Sequence, residues 1–220
     1  MLVLMSQFSE DLKDDRRLEA IAKTRQELAP VIEDLHHAGY KFNSLDDLRN
    51  SGLKYESAIP ILLFWLTRVP SPDSKESIVR SLSVPWAKPA AGPVLVGEFE
   101  KAPKHAELLR WAIGNALEAV AEPGLANRII ELVKDKDNGS AREMAVLALG
   151  KIRQPKVVQT LIELLDDEEV AGHAIMALRK LRAAESLDHL VKFVDHHNAW
   201  IRNEAKKAVT TILKQKERQK

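Results

Sequence analysis

The segment Arg142-Glu143-Met144-Ala145-Val146-Leu147-Ala148-Leu149 recurs downstream in two recognisable copies. One is Gly172-His173-Ala174-Ile175-Met176-Ala177-Leu178, and the other is Arg202-Asn203-Glu204-Ala205-Lys206-Lys207-Ala208-Val209. Equivalent positions fall at Leu149, Leu178 and Val209, spacings of 29 and 31 residues. A helical pattern repeating at about 30 residues is the signature of stacked helix pairs, an α-solenoid. The fold is therefore expected to be all-α, with about five helix pairs behind an N-terminal helical cap.

The clearest unit starts at Ala141. Apolar residues at Ala145, Ala148, Leu149 and Ile152 lie on one face of a helix over 141–152. Pro155 disfavours helical geometry in the residue before it and suits the first turn of the next helix. That second helix, over 156–165, carries Val157, Val158, Leu161, Ile162 and Leu165 inward. The acidic turn Asp166-Asp167-Glu168-Glu169 favours the N-terminus of the helix after it. The same plan predicts pairs at 111–120 with 125–134 and at 170–181 with 186–194, then a last first-type helix at 201–213. Alanine recurs at Ala145, Ala174 and Ala205, where small side chains let neighbouring first helices approach.

Upstream the pattern weakens. Lys75 to Leu82 aligns as a first helix, and residues 85–93, with three prolines and a glycine, read as a loop before a short helix near 94–101. Ser44 reads as an N-cap, and 55–68 as a second-type helix. The first 40 residues predict one or two amphipathic helices carrying Leu18, Ile21, Leu28, Ile32 and Leu35, and ending at Gly39. The expected organisation is one domain over 1–220: the cap at 1–43, degenerate repeats at 44–104, regular repeats at 105–213 and a basic tail at 214–220.

Composition removes several classes of chemistry. The chain holds 33 Lys+Arg against 32 Asp+Glu. The first 110 residues have 15 against 16 and the remainder 18 against 16, so neither half has the basic excess of a dedicated nucleic-acid binder. With no cysteine, disulfides, thiolate metal sites and cysteine nucleophiles are excluded. The start lacks a basic n-region and a long apolar h-region, and no apolar stretch approaches the roughly 20 residues that span a bilayer. A cytoplasmic monomer is expected.

The pattern Arg-x-x-Ala-x-x-Ala-Leu-Gly-x-Ile at Arg142 to Ile152, with Pro155 and Leu-Ile-Glu-Leu-Leu at 161–165, resembles the HEAT repeat. It looks most like the short bacterial form called the PBS-lyase-like HEAT repeat, over residues 105–213 and more weakly over 44–104. The resemblance implies a fold shared by bilin lyases, di-iron hydroxylases, chaperone-like adaptors and scaffolds, with DNA glycosylases as distant helical-repeat relatives. Fold alone does not choose among them.

The residues narrow the choice. The hydroxylases hold iron with His-Glu dipeptides, and none of the seven histidines here is followed by glutamate. His189, His196 and His197 lie close in sequence, but a metal needs three or four converging ligands, and a polar helix end explains them. His36-His37 suits a helix C-terminus. Trp111 and Trp200 open first helices and are expected to pack between repeats, whereas Trp86, in the irregular loop, is the tryptophan expected to be exposed. Arg110, Arg142 and Arg202 each follow turn acids such as Asp137 and Asp195, and are expected to form a structural ladder.

In HEAT-type solenoids the second helices line the concave face. Aligning them gives three rows: Asn127, Gln159 and Asp188; Glu131, Glu163 and Lys192; Arg128, Thr160 and His189. Mixed in sign and without aromatics, these rows suit a protein or peptide partner. At the N-terminal end Phe64 and Ile61 replace polar positions, so that helix is apolar almost all round. Either the first 40 residues cover it, or it forms a hydrophobic groove roofed in part by Trp86. The leading expectation is a non-enzymatic scaffold or adaptor with no cofactor and no metal. The alternatives are a bilin-lyase-like or chaperone-like protein for a tetrapyrrole, and a weak nucleic-acid binder using Arg128, Lys134, Lys192 and the basic tail.

Overall fold

The computed structural model describes residues 2–218, with side chains for Asp15 and for 17–218. The protein is all-α, with no β-strand among the described residues. It divides after Ser81 into two compact units, a boundary that the sequence reading does not place.

The first unit opens with α1 (Leu2–His37), a single helix that runs through Pro30 rather than two shorter ones. Gly39, at φ +94°, takes the left-handed conformation that ends it. Its inward residues are Leu28, Val31 and Leu35, whereas Leu18 and Ile21 are exposed, contrary to expectation. α2 (Leu45–Asn50) starts as predicted, with the Ser44 side chain accepting from the Asp47 N–H at 3.1 Å. A 3₁₀ turn over Glu56–Ala58 leads into α3 (Ile59–Leu66), and α4 (Pro72–Leu82) closes the unit. Polar side chains tie these helices together. Arg49 donates to the Ser77 carbonyl and the Ser81 hydroxyl, both at 3.1 Å, and the buried Tyr55 hydroxyl donates to the Ser81 carbonyl at 3.0 Å.

The second unit is the solenoid. After a 3₁₀ turn over Pro85–Ala87, α5 spans Ala91–Lys101, longer than the predicted 94–101 because Gly92 and Pro93 are taken into its first turn. First-type helices follow at α6 (Glu107–Val120), α8 (Arg142–Leu149), α10 (Ala171–Leu181) and α12 (Ala199–Arg218). Second-type helices alternate with them at α7 (Ala126–Lys134), α9 (Pro155–Glu163) and α11 (Leu187–Val191). α6, α8, α10 and α12 stack in one layer, and α5, α7 and α9 in the other. Each second helix packs more extensively on the first helix that follows it than on its own partner. Most of 214–220 is no separate tail: α12 continues to Arg218, and Gln219 and Lys220 lie outside the described residues.

Small residues set the spacing of the first-helix layer. Ala145, Ala174 and Ala205 are fully buried, as the repeat predicts. Three glycines do more. A Cβ on Gly114 would stand 2.8 Å from the Met144 Cβ, and one on Gly150 would stand 2.9 Å from the Ala177 Cα. A Cβ on Gly172 would run into the Trp200 ring at 2.1 Å.

Arginine fixes the register between repeats. The Arg142 side chain is 1 % exposed. Its guanidinium donates to the Val133 carbonyl at the end of α7, to the Gly139 carbonyl, to Asp167 at 2.8 Å and to Glu169. Arg110, also buried, donates to the carbonyls of Phe99 and Ala102 at the end of α5, and to Asn138 at 2.5 Å. Arg202 donates to the carbonyls of His196 and His197. The ladder is therefore structural, but its carboxylates are not the turn acids that precede each arginine. Arg142 takes Asp167 and Glu169 from the turn that follows, and Arg202 takes backbone carbonyls instead of Asp195.

The Arg142 hydrogen bond holds the Asp167 carboxyl below the usual carboxylate range, against the opposing effect of burial. Its contribution to stability is complete above the ordinary aspartate value near 4 and is lost as pH falls through the lowered folded-state value. Urea midpoints followed downward in pH should show this acid loss, and Asp167→Asn should flatten it. Gly150→Ala forces a methyl against backbone and should lower stability by about 1–3 kcal/mol in urea unfolding. Gly172→Ala should cost less, because the Trp200 ring is 44 % exposed and can swing outward.

Candidate functional site

The second helices of the solenoid unit present their polar residues outward, and neighbouring repeats pair them. Arg128 on α7 meets Glu100 on α5 at 2.7 Å and donates to the Pro93 carbonyl at 3.2 Å. Asn127 on α7 accepts from Lys156 on α9 at 2.5 Å. Lys134 on α7 meets Glu163 on α9 at 2.8 Å, and Gln159 donates to the same Glu163 at 3.4 Å. Lys134 first, and Gln159 after it, hold the Glu163 carboxyl below its usual range. A lattice of exposed pairs thus runs from α5 to α9.

The rest of the rows divide. Glu131, Asp188, His189 and Lys192 are exposed. Thr160 is buried at 4 % exposure, so the third row is interrupted between Arg128 and His189. The histidine trio has a local role. α11 ends at Val191, too early for His189 and His196 to share a helical face. His196 instead stacks on Phe193 and lies tilted against His197, with ring centroids 5.8 and 4.2 Å away. Among the described residues no group of three or more His, Asp and Glu side chains is arranged to hold a metal.

The apolar positions at 61, 64 and 86 fall in different units. In the first unit α1 packs on α3, but over Trp65 rather than over Phe64. The Trp65 indole N–H donates to Asp34 at 2.7 Å. Phe64 remains 49 % exposed, with the Arg68 guanidinium 3.6 Å from its ring centroid. Ile61 is half-buried. In the second unit Trp86 is also half-buried. The more exposed indoles are Trp111, at 41 %, and Trp200, at 44 %, which reverses the expected order. Trp200 does pack between repeats, against Gly172 and the His173 ring 5.1 Å away. Helix starts expose one edge of such rings, which the apolar pattern does not convey.

Sequence reasoning passed over the opposite layer. A groove of about 890 Å³ runs over the first helices α6, α8, α10 and α12. The signal was present in Arg179-Lys180-Leu181-Arg182 and Lys206-Lys207, basic clusters one repeat apart.

Residues 92–171 match the family model for HEAT repeats. Residues 92–171 carry HEAT repeats. This match covers α5 to α9, the stretch in which Arg110, Arg142 and the paired second helices lie, and stops short of Arg202. A designed armadillo repeat protein in complex with the peptide (KR)4 is structurally similar at 18 % identity and a TM-score of 0.45, covering 89 % of this chain and 92 % of that one. Comparison with curated proteins gives no match. No helix among the described residues is long and apolar enough to cross a membrane.

The Lys134–Glu163 pair is about half exposed on both sides, and such surface pairs contribute little to stability. Glu163→Gln should therefore change the unfolding free energy by less than about 1 kcal/mol in urea titration.

Proposed function

We propose that this HEAT-repeat protein is a binding scaffold or adaptor, of the bacterial short-repeat type, that holds a protein or peptide partner across its second helices. What supports this reading is the run of exposed polar side chains on α7, on α9 and at α11. In the alignment of the repeats Asn127, Gln159 and Asp188 share one position, and Glu131, Glu163 and Lys192 another, and all six are exposed. A surface assembled from successive repeats is extended rather than pocketed, which suits a chain partner more than a small substrate. Its mixed charge, with the sign changing from Glu131 to Lys192, supports selection by complementary charge. The paired residues between repeats, Arg128 with Glu100 and Glu163 with Lys134, can exchange their partners for groups on a bound chain at little cost to the fold. In the first unit the exposed Phe64, with Ile61 three residues before it on α3, offers an apolar anchor of the kind that dominates interface energetics. Trp86 is proposed as a further anchor in the second unit. Within this reading the work is recognition and not chemistry, in the cytoplasm.

Affinity capture from lysate of the source cells tests it. The wild-type chain should retain a defined partner, and Glu131→Lys with Lys192→Glu should release it at matched folded protein. Phe64→Glu should weaken the same capture. Failure to retain a partner, or a partner indifferent to all three changes, contradicts the proposal.

A further inference from the structure

The groove on the first-helix layer is strongly basic. Of its ten lining residues, five are cationic and one is anionic. Arg179, Lys180 and Arg182 come from the end of α10, and Lys206 and Lys207 from α12. Leu147 and Met176, both half-buried, supply apolar lining from α8 and α10.

Three observations mark it as more than a solvated helix face. First, the cations are braced. Lys180 reaches over α8 to Glu118 on α6 at 2.9 Å, and Glu204 holds Arg179 at 2.9 Å and Lys207 at 2.7 Å. Second, the charge exceeds its internal compensation. Among the described residues neither Arg182 nor Lys206 has a carboxylate partner. Lys151 stands in the same field: its ammonium is pushed below the usual lysine range, first by burial and then by Lys180 and Lys88. Third, Arg182 is the one described non-glycine residue with positive φ, at 54°. It occupies the left-handed cap of α10, with the Ala183 N–H donating to the Leu178 carbonyl at 3.2 Å. Glycine is the ordinary residue at such a cap, so an arginine there places a cation on the lip of the groove at some cost in backbone strain.

We infer that this groove is a docking site for an acidic peptide segment carrying interspersed apolar residues. Carboxylates match the rim, where arginine can take them in bidentate fashion, and aliphatic side chains match Leu147 and the adaptable Met176. The groove is an open furrow rather than an enclosed cavity, which suits an extended segment more than a small molecule. Nucleic acid fits less well. No aromatic ring lines the groove to stack on bases, and Glu118 and Glu204 interrupt the cationic track that a continuous phosphate backbone follows. The site lies on the opposite helix layer from the proposed scaffold surface and does not depend on it.

Fluorescence anisotropy with a fluorescein-labelled peptide of repeating Glu-Glu-Leu tests the inference. At low salt the peptide should bind the full chain, with affinity falling as salt rises. Arg182→Gly with Lys206→Ala should weaken binding about tenfold while leaving the thermal melt in place, since glycine suits the left-handed cap. Lys206→Ala alone, at an exposed position, should give a smaller loss in the same direction. A Lys-Lys-Leu peptide should not bind. Absence of binding at low salt, equal binding by the double variant, or tighter binding of oligothymidylate than of the acidic peptide would each overturn it. The second-helix substitutions Glu131→Lys and Lys192→Glu should leave this binding unchanged, which separates its failure from that of the scaffold reading.

Discussion

The buried guanidinium of Arg142 is the contact on which the solenoid unit depends. A full charge at 1 % exposure is stable only when opposed by charge and satisfied by hydrogen bonds. Both conditions are met by groups from three successive places in the chain: the carbonyl that ends α7, the Gly139 carbonyl beside α8, and Asp167 with Glu169 in the turn before α10. One side chain therefore ties the end of one repeat to the start of the next and to the turn beyond. Repeat proteins are stabilised by intrinsic repeat terms and by contacts between neighbours, so a bridge of this kind acts where such a fold is weakest. Arg110 repeats the arrangement one unit earlier, with Asn138 in place of a carboxylate.

The ladder has consequences for both surfaces. By holding the starts of the first helices in register, it fixes where glycine must stand. Gly114, Gly150 and Gly172 mark the close approaches of α6 to α8, α8 to α10 and α10 to α12. Close first helices let Lys180 reach over α8 to Glu118 and form one wall of the basic groove. On the other layer, the same spacing brings Lys134 to Glu163 and Arg128 to Glu100, so successive repeats present a continuous polar face. Among the described residues no group of three or more His, Asp and Glu side chains is arranged to hold a metal.

Much of the fold was legible in the sequence because it rests on local rules. The alanine period located the buried stripe, Pro155 began α9, and Ser44 capped α2, each within one or two helical turns. What was not legible depends on which neighbour a residue meets. The repeat placed Arg142 correctly but not its carboxylates, since a period is the same read forwards or backwards. Phe64 and Trp65 are adjacent and both aromatic, and only the docking of α1 decides that Trp65 is covered through Asp34 while Phe64 is left out. Of the candidate rows Thr160 turns inward, and of the histidine trio His196 joins a local stack, neither of which the period conveys. The basic groove escaped notice because its residues are ordinary on each helix and become unusual only when α10 and α12 lie side by side.

A double-mutant cycle between Arg142 and Asp167 tests the central claim most directly. Urea unfolding of wild type, Arg142→Met, Asp167→Asn and the double variant gives the coupling between the two side chains. If the ladder joins repeats as described, the coupling should fall at about 1–3 kcal/mol, with the double variant no less stable than Arg142→Met by more than a few tenths. Additive effects, with a coupling below about 0.5 kcal/mol, would contradict the account.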